Sequence, residues 1–176
     1  MSSQSVLDGI CRYFGGPYDE TTRTYRSSPV AGVGVVRRAW PKNDNKADYF
    51  NGMDAGARTG CLIVVWIPRR SESRFAVAGD HGGMKNVRYD IELAVYVRSR
   101  TPLAEDAQDD VYALQDALVE WMRADRTLGA ACFEAGEAVD GGQGSIDFEY
   151  GQPETTTELT KSFFLMAFTA LEIVQA

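Results

Sequence analysis

Few residues in this chain have the types and spacing to do chemistry. The single histidine, His81, follows Asp80 inside the run Gly79-Asp80-His81-Gly82-Gly83. A Ser-His-Asp arrangement is conceivable around it, but a lone histidine in a glycine-rich loop is far more often a surface contact. Asp106, Asp109 and Asp110 form i, i+3 and i, i+4 pairs that can chelate a divalent cation. A solvated helix face is the stronger reading, because hard-cation sites usually recruit ligands from several elements. Gly32-x-Gly34 lacks the further glycines, Lys and Ser/Thr of a phosphate loop and reads as a strand or turn pair. Cys11, Cys61 and Cys132 are odd in number and widely separated, as expected of small buried side chains rather than a disulfide framework or a metal site. No catalytic residue, no metal site and no cofactor is therefore expected, and the chain is read as a non-enzyme.

Interaction chemistry is better represented. Tyr18, Tyr25, Trp40, Tyr49 and Phe50 interleave with Arg23, Arg26, Arg37, Arg38, Lys42 and Lys46. That mixture serves single-stranded nucleic acid or a protein interface. The net charge of −7 favours protein, since binding duplex DNA requires several phosphates to be neutralised. The charge is also unevenly spread: residues 1–100 carry +5 and residues 101–176 carry −12. If the two halves occupy different surfaces, copies of such a chain can stack base against acid in a head-to-tail ring; the alternative is an ordinary solvated acidic face.

The elements that would position these groups follow from periodicity. A short N-terminal helix carries Val6, Leu7, Ile10, Cys11 and Phe14 on one face, with Ser5 and Asp8 as a capping box, and ends at Gly15-Gly16-Pro17. Tyr18 to Ser28 reads as a surface arm and Val33 to Trp40 as a strand. Cys61 to Ile67 reads as a strand apolar on both faces that Pro68 stops. Residues 41–60 and 69–85 read as long loops, the first mobile or ordered only against a partner. Val87, Tyr89, Ile91, Leu93, Val95 and Val97 alternate with polar neighbours as a half-buried strand. Thr101 then caps a helix of about 25 residues, roughly 37 Å long, with Ala107, Val111, Leu114, Leu118, Trp121 and Met122 as its buried stripe. Ile146 to Tyr150 and Glu158 to Val174 complete the strands. The expected fold is α+β: an antiparallel sheet of mixed strand lengths, with one long amphipathic helix and a short N-terminal helix packed on it.

A chain of 176 residues with 44% apolar and 24% charged side chains is expected to fold as one domain, 1–176. No apolar run approaches the ~20 residues of a spanning helix, and Met1-Ser2-Ser3-Gln4 lacks the start of a signal peptide, so no membrane role is expected.

Arg88 to Val97, then Ala104-Glu105-Asp106-Ala107, the acidic helix, Arg123-Ala124-Asp125-Arg126-Thr127-Leu128-Gly129 and a closing strand after a Gly-rich acidic link resemble the tail terminator and head-to-tail joining proteins of long-tailed bacteriophages. The resemblance covers roughly residues 86–175. It implies a structural virion protein of the tail or neck, assembled in the host bacterial cytoplasm. Six copies would form a ring that caps the tail tube, stops its polymerisation and joins it to the head connector. Its partners would be itself, the tail-tube protein and the head–tail connector or stopper protein, with DNA passing through unbound. Under this reading Glu105, Asp106, Asp109, Asp110, Asp116 and Glu120, or the acidic Phe133 to Glu158 region, would line the channel and repel phosphate. Arg69, Arg70, Arg74, His81 and Lys85 would contact partners. Alternatives are a head–tail stopper, another tail-completion protein, a tail-tube subunit, or a small α+β hydrolase using Asp80 and His81.

Overall fold

In the computed structural model, which describes residues 2–78 and 82–175, Ser2 opens the first helix, α1 (Ser3–Gly15). The Ser2 side chain accepts from the Ser5 backbone N–H while the Ser5 side chain accepts from that of Ser2, a reciprocal capping box. The cap thus lies one turn earlier than the Ser5/Asp8 pair expected, and Asp8 is instead engaged by Arg38 and Tyr25. Gly16, at φ 75°, closes the helix with a backbone bond to the Arg12 carbonyl.

The segment expected as a surface arm forms two short strands, β1 (Tyr18–Asp19) and β2 (Thr24–Arg26), before β3 (Val33–Arg37). A four-residue helix, α2 (Lys46–Tyr49), lies within the long connection to β4 (Thr59–Ala78). β4 and β5 (Gly82–Ser99) make a long hairpin. Pro68 does not end β4. It falls at a register shift between Trp66 and Arg69, where no ladder donor is required of it. The described residues of the expected loop, 69–78 and 82–85, consequently continue as strand, held by pairing between β4 and β5 in the register Arg69↔Asp90 through Arg74↔Lys85.

Helix α3 (Ala104–Ala124) has 21 residues, roughly 32 Å at the usual rise, and begins later than expected. Thr101 donates its hydroxyl to the Leu103 carbonyl instead of capping, and Leu103 provides no side-chain cap. After β6 (Glu134–Ala135) come a 3-10 turn (Gly136–Ala138), a single irregular turn α4 (Val139–Gly142), β7 (Ile146–Tyr150), β8 (Glu154–Thr155) and β9 (Thr160–Gln175).

Among the described residues the strands form one nine-stranded sheet in the order β1-β2-β3-β4-β5-β9-β6, with β7 and β8 also paired to β9. β5 pairs with β9 along its length, and β6, β7 and β8 share the opposite edge of β9. The sheet is mixed rather than antiparallel throughout, because β3 runs parallel to β4. A parallel neighbour requires a crossover, and residues 38–58 supply it. Among the described residues four helices, not two, accompany the sheet, the extra two being one-turn segments within connections.

Each face of the sheet has its own apolar cluster. On the first face, Val6, Ile10, Cys11 and Phe14 of α1 and Val111, Leu114, Leu118 and Met122 of α3 pack on Ile63, Val65, Tyr89, Ile91, Leu93, Phe164 and Met166. Each such large side chain contributes about 1.5–3 kcal/mol by leaving water. On the second face, Tyr49 of α2 packs with Val35, Leu62, Val64 and Ala94, flanked by Phe50, Tyr96, Phe163 and Leu165. All three cysteines are buried and unpaired.

Candidate functional site

Helix α3 presents its carboxylates opposite its packed side. At about 100° per residue, Glu105, Asp106, Asp109, Asp116 and Glu120 share a sector centred across the helix from Ala107, Val111, Leu114, Leu118 and Met122, which are buried. Those five acids are exposed along the whole helix. Asp110 stands apart from them, because it is half-buried and accepts the Thr59 hydroxyl, which ties α3 to the start of β4. Sequence reasoning placed Asp110 in the acidic stripe; its contact makes it a link between helix and sheet.

The basic candidates sit on the outer half of the hairpin. Arg69 and Arg74 are exposed. Arg70 lies over the Tyr89 ring at 5.7 Å, donates to Ser3 at 3.3 Å and pairs with Glu72. Lys85 donates to the other Glu72 oxygen at 2.8 Å. Held by Lys85 and Arg70, the Glu72 carboxyl is pulled below the usual carboxylate range. Two of the four described cations thus share one acid, which leaves Arg69 and Arg74 as the more available charges. His81 and Asp80 lie outside the described residues.

A second acidic surface occupies the open part of the sheet's second face. In the registers Asp90↔Thr169, Glu92↔Ala167↔Asp147 and Leu165↔Glu149, four carboxylates flank β9 on one side of the sheet. Asp147 and Glu149 belong to the acidic region singled out in sequence, but its Glu137 and Asp140 are paired with Arg123 and Arg88.

The aromatic–basic mixture of residues 18–50 is largely consumed inside the fold. Tyr25 and Tyr49 are buried, Arg37 pairs with Asp48, and Arg38 pairs with Asp8 at 2.7 Å while lying over Tyr18. What survives is a crevice that sequence reasoning missed. Trp40, Pro41, Asp44, Tyr49, Tyr96 and Arg98 are among the residues lining a space of about 310 Å³ on the second face. Arg98, on the polar face of β5, is only 4% exposed; it pairs with Asp44 and lies 4.4 Å from the Tyr49 ring. Trp40 donates from Nε1 to the Tyr96 hydroxyl at 2.9 Å and meets Trp66 edge-on. The interleaved aromatics and cations were the available signal. Their convergence depends on the crossover folding back, which no local pattern reports.

Among the described residues, no group of three or more His, Cys, Asp or Glu is placed to hold a metal ion, and no helix is long and apolar enough to cross a membrane. No family model matches the chain, and no curated protein matches it.

Proposed function

We propose that this chain is a structural subunit of a bacteriophage tail, a terminator-like protein whose copies close into a ring that caps the tail tube and joins it to the head. The observation that carries the reading is the separation of charge onto two elements: a base-free acidic stripe along α3, and exposed arginines on the outer half of the β4–β5 hairpin. Opposite charges on separate elements of one chain favour a heterologous contact between copies, and heterologous contacts generate rings when the rotation closes. The resemblance of residues 86–175 to tail terminators supplies the biological setting.

In such a ring the α3 stripe repels DNA phosphate at short range and lets the duplex pass, whereas the Asp90, Glu92, Asp147 and Glu149 face carries Arg69 opposite Asp90 and is not purely acidic. Arg69, Arg70 and Arg74 then meet acidic groups of the tail-tube or connector protein, and the subunit needs no catalytic residue.

The test is the mass of the purified protein together with negative-stain images, alone and with the tail-tube subunit. Closed rings that cap tubes are the expected result. Open filaments of the pure protein would favour a tail-tube subunit, and a monomer indifferent to tubes would end the proposal. Charge reversal at Arg69, Arg70 and Arg74 is expected to leave folded protein that no longer joins tails to heads.

A further inference from the structure

The crevice on the second face brings aromatic walls, a buried cation and a half-exposed counter-ion together around one space. Its walls are aromatic, from Trp40, Tyr49 and Tyr96, and Leu62 forms part of the lining. Its charged groups are Arg98, Lys161 and Asp44, so with all three ionised the site carries one net positive charge. Arg98 is nine-tenths buried or more, yet its Nε makes no hydrogen bond to protein. A guanidinium is a fork of five donors suited to bidentate carboxylate recognition. A buried donor left without a partner costs about 1–3 kcal/mol. The ring of Tyr49 fixes the guanidinium from one side. The counter-ion Asp44 is about half exposed and sits on the crossover rather than in the sheet.

We propose that this crevice is a binding site for a single carboxylate carried on a flat apolar group. The carboxylate takes the Arg98 fork and the Lys161 ammonium, and the apolar body lies against Trp40 and Tyr96. The volume is at the lower end of ligand pockets, which suits one ring and one acid. In the unliganded protein Asp44 stands in for the ligand, and it competes with any acid that enters. The same chemistry is presented by a small free aromatic acid and by a protein chain ending in an aromatic residue. The inference does not depend on the ring reading, since a monomer can hold such a site and a ring can lack it.

Calorimetric titration of the full-length protein tests it, with benzoate and benzamide as one pair of probes and a short peptide ending in phenylalanine, free or amidated at its C-terminus, as the other. The expected result is that at least one acid binds, about tenfold or more tighter than its amide, a margin of about 1.4 kcal/mol. Benzoate binding points to a small-molecule ligand, and binding of the peptide acid alone points to a protein terminus. Arg98→Met risks the fold, so the deciding variants alter the exposed groups. Asp44→Asn is expected to tighten the acid several-fold by removing the competitor, and Lys161→Met to weaken it. Binding of neither acid, equal binding of acid and amide, or weaker binding in Asp44→Asn would overturn the inference.

Discussion

Tyr13 and Trp121 bind each other's backbone. The Tyr13 hydroxyl donates to the Trp121 carbonyl, the Trp121 Nε1 donates to the Tyr13 carbonyl at 3.2 Å, and their rings lie 5.5 Å apart. The pair clasps the C-terminal turn of α1 to that of α3. It adds to the packing of Val111, Leu114, Leu118 and Met122, which leaves the α3 carboxylates facing solvent.

Removing either donor leaves a carbonyl without its partner. Tyr13→Phe and Trp121→Phe are each expected to cost about 0.5–1.5 kcal/mol, read from urea unfolding midpoints at constant slope. Because the residues touch, the double variant should depart from additivity by about 0.5 kcal/mol or more. Strictly additive losses would show that the two bonds do not act as one clasp.

Gly34 and Gly60 make room for α2. A Cβ on Gly34 would lie 2.3 Å from the Asp48 carbonyl oxygen, and one on Gly60 would lie 2.3 Å from that of Tyr49. Gly34→Ala and Gly60→Ala are each expected to destabilise by about 1–3 kcal/mol, as overpacking against backbone does. Gly56→Ala, where a Cβ meets nothing within 4 Å, is the control and should be neutral or slightly stabilising. Thermal unfolding of the three variants distinguishes them, and a Gly34→Ala protein as stable as Gly56→Ala would refute the seating role.

Several carboxylates are held below their usual range in the folded state. For Asp125 the chief cause is the Thr127 hydroxyl, joined by the Gly129 and Thr127 backbone N–H groups; for Glu137 it is Arg123, and for Glu72 it is Lys85. A depressed folded value means that the unfolded chain takes up protons first as acid is added. The stabilisation is therefore present above the ordinary values of 3.8 for Asp and 4.5 for Glu, and it is lost as pH falls from there through the lower folded values. Unfolding midpoints should decline below about pH 4.5, and Asp125→Asn should flatten part of that decline. A midpoint independent of pH between 5 and 3 would contradict the assignment.

Legibility in the sequence followed local periodicity. β5 was readable because Val87 to Val97 alternate strictly, and β7 because Ile146, Phe148 and Tyr150 alternate with Asp147 and Glu149. The buried stripe of α3 was readable from the spacing of Val111, Leu114 and Leu118. The outer half of β4 was not, since Arg69 to Arg74 is polar on both faces and its strand state comes from pairing with β5. Nor could α2 be found, because four residues among Asn, Asp and Lys carry no period and owe their position to two glycines on other elements. Arg98 looked like one more polar residue on a wet face. Only the returning crossover buries it.

The parallel step from β3 to β4 has a wider consequence. Strand direction obliges the backbone to travel the length of the sheet again, and that obligatory detour becomes the roof over Arg98. Shortening or redesigning the 41–58 stretch should therefore reshape the crevice while leaving the hydrogen-bonded strands beneath it intact, so recognition and framework are separable parts of this molecule.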